Sequence, residues 1–120
     1  MNQKILIIED NEQNMYMLTY LLESNYYKVF QSFNGPTGIT LAQKHHPDAI
    51  LLDIQLPEMD GYSVARELRK IKELSLIPII AVTSYAMTGD KEKAFEAGAT
   101  GYIEKPIDPD TFISQLEKLI

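Results

Sequence analysis

The chain has 120 residues, 45% hydrophobic and 23% charged, with no cysteine and a net charge of −6. That size fits one domain with a real core, and the missing thiols exclude disulfide scaffolds, cysteine-rich zinc sites and thiol nucleophiles. The 11 basic residues are scattered, which argues against a nucleic-acid surface, and no apolar run approaches the ~18 residues that span a bilayer.

Met1 to Lys4 leads straight into a strand-like segment without a signal peptide's layout. A cytoplasmic single domain over residues 1–120, with no output domain and no membrane contact, is expected. Ile5-Leu6-Ile7-Ile8 reads as the first strand, and Met15, Leu18, Leu21 and Leu22 then repeat at helical spacing. Met15 and Met17 fit core and surface positions of that helix. Val29-Phe30-Gln31-Ser32-Phe33 is a second, more polar strand, which places it at a sheet edge. His45-His46 follows as a solvated helix end, because adjacent helical side chains point in different directions and make a poor metal pair.

Ala49-Ile50-Leu51-Leu52 is the third strand, and Asp60-Gly61 turns into a helix carrying Val64, Ala65, Leu68 and Ile71. Ile77 to Val82 is the fourth strand. A helix with Ala94, Phe95 and Ala97 follows, with Lys91-Glu92-Lys93 on its solvated face and Gly98 at its end. Gly101-Tyr102-Ile103 is a short fifth strand. Asp108-Pro109 opens the last helix as N-cap and first residue, ahead of Phe112, Leu116 and Leu119.

Continuously apolar strands suit a parallel sheet covered on both faces. Five strands alternating with five helices therefore predict an α/β fold, an open parallel sheet with helices on both sides. Ligands in such sheets bind beyond the carboxyl ends of the strands. The residues expected there are Glu9-Asp10, Asp53, Thr83-Ser84 and Lys105-Pro106.

Singly, each has an ordinary explanation: a helix cap, a turn former, a local hydrogen bond, a solvated charge. Together, three carboxylates in one mouth repel each other unless a cation joins them. The donors are hard oxygens without His or Cys, which points to Mg²⁺. With Mg²⁺ and Lys105 the charges of Glu9, Asp10 and Asp53 balance. A carboxylate can attack phosphorus, while a metal, an ammonium and a hydroxyl stabilise the phosphoryl oxygens. Asp53, after the central strand, is the best nucleophile candidate; Glu9-Asp10 is suited to hold the metal.

These residues carry a resemblance. Glu9-Asp10, the stretch Asp53-Ile54-Gln55-Leu56-Pro57-Glu58-Met59-Asp60-Gly61, Thr83-Ser84 and Lys105-Pro106 fall in order and without gaps as in receiver domains of two-component response regulators, from Lys4 to Ile120. The resemblance implies a flavodoxin-like sheet in the order 2-1-3-4-5. It makes Asp53 the phosphoacceptor, fed by a phosphohistidine on a histidine kinase or phosphotransfer protein. It implies Asp10, Asp53 and the Gln55 backbone carbonyl as Mg²⁺ ligands, with Glu9 acting through water. Lys105 becomes the ammonium on the phosphoryl group, joined to Pro106 by a cis bond. Thr83 and Tyr102 become the switch pair.

The readout surface for a downstream protein target is then the fourth helix, fifth strand and fifth helix. Tyr102 is a contact candidate there, while Phe95 and Ile113 read as core before contact. The acidic pair is Glu-Asp where Asp-Asp is commoner. Gln55 and Tyr85 hold the positions that tune dephosphorylation, and hydrolysis is slowed if Tyr85 covers the phosphoryl group. The stretch Ala81 to Ile107 looks most like hybrid-kinase receivers and stand-alone regulators of the cell-polarity type.

Three other readings differ in what they require. A flavodoxin-like electron carrier needs a phosphate loop after the first strand, where Glu9-Asp10-Asn11-Glu12 would repel a phosphate. A haloacid-dehalogenase-type phosphatase needs an Asp-x-Asp nucleophile there, where Asp10-Asn11-Glu12 stands. A pseudo-receiver that only binds partners would not need the full set of site residues.

Overall fold

The apolar runs become strands because each one has both faces to bury. The computed structural model describes residues 3–84 and 88–120. Its elements alternate along the chain: β1 (Lys4–Ile8), α1 (Glu12–Ser24), β2 (Lys28–Ser32), α2 (Gly35–His45), β3 (Ala49–Asp53), α3 (Gly61–Lys70), β4 (Ile79–Thr83), α4 (Thr88–Ala97), β5 (Gly101–Glu104) and α5 (Phe112–Glu117). A 3₁₀ turn, Lys72–Leu74, follows α3. The sheet is parallel throughout, in the order β2-β1-β3-β4-β5, as expected. The order reverses between β1 and β3, which puts the ligand crevice of such a sheet beside the ends of those two strands.

Side chains alternate across the sheet. Ile5, Ile7, Leu51 and Val82 face a core closed by Met15, Leu18, Leu22, Phe112 and Leu116. Leu6, Ile8, Ile50, Leu52 and Ile79 face the opposite core, closed by Val64, Ala65, Leu68 and Ala97. Both faces of the sheet are covered by apolar side chains, which explains why the central strands carry no polar alternation. No helix among the described residues is long and apolar enough to cross a membrane.

Side-chain caps start three helices. Asn11 accepts from the Asn14 N–H, Asn34 from Thr37 and Asp60 from Ser63, at 2.8–2.9 Å. Gly98 closes α4 at φ +123°. Arg69 locks that end by donating twice to the Gly98 carbonyl, at 3.0 and 2.7 Å, and once to Leu74 at 2.9 Å.

Three sequence expectations need correction. Helix α5 begins at Phe112, not Pro109: the Asp108 side chain accepts from the Asp110 N–H at 2.9 Å and stabilises a separate turn ahead of the helix. Phe95 is 46% exposed, because Ala94 and Ala97 fill the buried stripe of α4. His45 is not simply solvated; its ring stacks on Phe30 at 4.1 Å, and only His46 forms the exposed left-handed cap. Ile113 is partly buried against the core, as expected.

Tyr26 holds φ +69° with 81% of its surface exposed. A side chain in the left-handed region costs roughly 1 kcal/mol and this one returns no burial. Tyr26→Gly is therefore expected to raise stability by about 0.5–1 kcal/mol, seen as a higher urea midpoint at unchanged slope.

Candidate functional site

The carboxyl ends of β1, β3, β4 and β5 deliver the expected side chains to one cleft. Glu9, Asp10 and Asp53 place one carboxylate oxygen each within 4.8 Å of one another. Glu9 and Asp53 are buried, at 1% and 3% exposure, and Asp10 is exposed. The ammonium of Lys105 lies 3.1 Å from Glu9 Oε1 and 3.2 Å from Asp53 Oδ2. Its backbone N–H donates to the Thr83 carbonyl at 2.9 Å, so the β5 end is fastened to the β4 end. The Lys105–Pro106 bond is cis, as expected. Thr83 is buried at 1% exposure.

The neighbouring backbone organises these groups. The Asn11 N–H donates to Glu9 Oε2 at 3.1 Å, and the Gln55 N–H donates to Asp53 Oδ1 at 2.9 Å. The loop from Asp53 to α3 is closed by the Gly61 N–H donating to the Ile54 carbonyl at 3.0 Å. Glu58 holds φ +63° within that loop.

The electrostatics are unbalanced. Three carboxyl groups face one ammonium, an excess of two negative charges when all are ionised. Burial, reinforced by the hydrogen bond and charge of Asp53, pushes Glu9 up to about 7 against the pull of the Asn11 N–H and Lys105. Burial acts to lower Lys105, but Asp53 and Glu9 outweigh it and raise it. Glu9 Oε1 is buried and makes no well-formed hydrogen bond among the described residues. Lys105 is the cation beside it, and ionising Glu9 in this buried site is costly. A divalent, oxygen-seeking cation would relieve the excess charge, and the donor set of carboxylates without His or Cys suits Mg²⁺.

The sign of the resulting pH dependence follows. Below pH 4.5 both folded and unfolded chains keep the Glu9 proton. Between 4.5 and about 7 the unfolded chain has lost it while the folded one retains it. Metal-free stability attributable to Glu9 therefore falls as pH rises through that window and levels off above it, by on the order of 1–2 kcal/mol. Denaturation from pH 4.5 to 8 in chelator should show this slope in the wild type and lose it in Glu9→Gln.

Two features escaped the sequence reading. Ser84 donates its N–H and hydroxyl to Oε1 of Gln55, at 3.0 and 2.6 Å, so the loops after β3 and β4 are joined across the mouth. Beside the mouth lies a groove of about 360 Å³ lined by Asn14, Met17, Ser84, Lys105, Pro106 and Ile107. Ser84, Lys105 and Pro106 were expected at the mouth, but that α1 would close a groove against them was not. Tyr102 is half-buried on β5, with the Lys91 ammonium 5.3 Å from its ring centre. Tyr85, Ala86 and Met87 lie outside the described residues, and with them the expected cover of Tyr85 over the site.

The chain is similar to known proteins. A family model described as the response regulator receiver domain matches residues 5–117. Across all 120 residues the chain is 42% identical to the polar-differentiation response regulator DivK of Brucella ovis, covering 98% of it. It superimposes on the chemotaxis protein CheY4 of Vibrio cholerae with a TM-score of 0.96 at 26% identity, covering 100% of both chains. The receiver domain of the sensor histidine kinase PA1611 from Pseudomonas aeruginosa PAO1 matches with a TM-score of 0.90 at 35% identity, covering 99% of this chain and 98% of that one. Its structure has a magnesium ion coordinated in the active site cleft.

Proposed function

The chain belongs to the response regulator receiver family, phosphotransfer switches of two-component signalling, and from that premise we propose that Asp53 is its phosphoacceptor. One observation carries the reading: Asp53 is buried between an acidic pair and an ammonium that contacts it at 3.2 Å. Lys105 pairs with Asp53 and Glu9, which favours Asp53 over Asp10 as nucleophile and so disfavours the phosphatase alternative.

Receiver domains bind Mg²⁺ at an acidic site. In this chain Glu9, Asp10, Asp53 and the Gln55 carbonyl would hold it, and the ion would neutralise charge on the phosphoryl oxygens. The remaining work falls to side chains. One Asp53 carboxylate oxygen attacks phosphorus as the P–N bond of a phosphohistidine breaks. The electron pair returns to the donor imidazole, which takes up a proton. Lys105, already placed against Asp53 Oδ2, stabilises the transferring group's charge. Water later attacks the same phosphorus and releases phosphate, so the domain catalyses its own Mg²⁺-dependent loading and unloading.

Receiver domains take phosphoryl groups from histidine kinases or phosphotransfer proteins and act on downstream targets. The groove beside Lys105 and Pro106 is open at the mouth, which supports it as the seat of the phosphodonor. Thr83 and Tyr102 form the switch pair: a new dianion at Asp53 draws the Thr83 hydroxyl inward, and the Tyr102 ring follows. The output surface is α4, β5 and α5, where the exposed Phe95 now joins Tyr102 as a contact. A cytoplasmic location and action through a protein target, without direct nucleic-acid binding, complete the reading.

The test is incubation with acetyl phosphate and Mg²⁺ followed by intact mass. Asp53 displaces acetate, and the protein gains one phosphoryl group, with no gain in chelator. No gain under loading conditions overturns the reading.

A further inference from the structure

We propose that Gln55 and Ser84 form a latch that holds the unphosphorylated conformation and must open when the site is loaded. The clamp joins residues 29 apart: one amide oxygen of Gln55 accepts both the Ser84 N–H at 3.0 Å and the Ser84 hydroxyl at 2.6 Å. Gln55 is itself fastened to the site, since its N–H donates to Asp53 Oδ1 at 2.9 Å. The start of the β4–α4 connection is thus held to the nucleophile's own loop. The C-terminal end of α4 is held separately, by Arg69 on the Gly98 carbonyl.

The opening follows from donor arithmetic. A backbone N–H has one proton, and Ser84 now spends both its N–H and its hydroxyl on a neutral amide oxygen. A phosphoryl group on Asp53 brings anionic oxygens to the same mouth, and hydrogen bonds to charged acceptors are roughly twice as strong as those to neutral ones. Loading transfers the Ser84 donors from Gln55 to the phosphoryl oxygens. The clamp therefore opposes loading by what its bonds contribute, and its removal favours the loaded state by the same amount.

This inference rests on Asp53 as phosphoacceptor, and its test separates the two. Gln55→Ala keeps the backbone carbonyl and removes the clamp. Amide exchange in metal-free protein is expected to be faster at Ser84 in Gln55→Ala than in wild type. Titration with beryllofluoride and Mg²⁺ is expected to show roughly 3- to 10-fold tighter binding in Gln55→Ala, and weaker binding than wild type in Ser84→Ala, which loses the hydroxyl's stronger bond to the anionic group along with its latch bond. In Gln55→Ala, unchanged Ser84 exchange, or affinity equal to or below wild type, overturns the latch. A wild type that takes up no beryllofluoride instead counts against Asp53, and the Ser84 exchange still decides whether the clamp exists.

Discussion

Asp53→Asn should give a folded protein that gains no phosphoryl mass from acetyl phosphate and Mg²⁺ and is more stable than the wild type in chelator. Loss of loading is complete because an amide oxygen is a far weaker nucleophile than a carboxylate. The gain in stability has a separate cause. The wild-type cleft carries three carboxylates against one ammonium, and the substitution removes one charge while Asn can still accept the Gln55 N–H through its oxygen. Asp53 is also one of the groups that push Glu9 upward, so Glu9 should titrate lower in the variant. An increase on the order of 1 kcal/mol is expected in metal-free buffer, by urea denaturation at pH 7.5. Mg²⁺ should stabilise the wild type more than the variant. A metal-free variant less stable than wild type would show that the acids are balanced by contacts other than a cation.

Gly61→Ala tests the loop that aims Asp53. A Cβ at Gly61 would stand 2.5 Å from the Ile54 Cα and 2.6 Å from the Asp53 carbonyl oxygen. Both are backbone atoms, so no side chain can rotate away. The loop between them has to shift, and with it the Gln55 N–H on Asp53 and the Gln55 carbonyl offered to the metal. Overpacking of this kind costs about 1–3 kcal/mol, and Mg²⁺ affinity should fall together with stability. Calorimetry with and without Mg²⁺ reads both. A variant that loses stability but keeps full Mg²⁺ affinity would show that the loop's carbonyl is not needed at the site. The requirement is for close approach, with nothing to do with an unusual φ, and it explains why glycine follows the Asp60 cap.

The site was legible early because its members sit at strand ends, and strand ends are the easiest boundaries to read. The runs Ile5-Leu6-Ile7-Ile8 and Ala49-Ile50-Leu51-Leu52 are apolar at every position, which only a strand buried on both faces tolerates. Glu9-Asp10, Asp53 and Lys105 then had to emerge together once the strands were parallel. The groups placed less well belong to helices and loops. Its place among Ala94 and Ala97 predicts an inward Phe95, yet one step along a helix turns a side chain by about 100°. That turn leaves it 46% exposed. A helix end predicts a solvated His45, but the β2 edge brings Phe30 under its ring.

Alternation of apolar runs, polar strand ends and capping residues is a local property, so the chain's own order of residues determined the parallel α/β sheet and the acids around Asp53. Tertiary structure alone decided that Gln55 clamps Ser84 and that Glu9 holds its proton up to about 7. The first depends on two loops meeting across 29 residues, and the second on how much water the packed elements together exclude. Neither quantity is carried by any short stretch of chain.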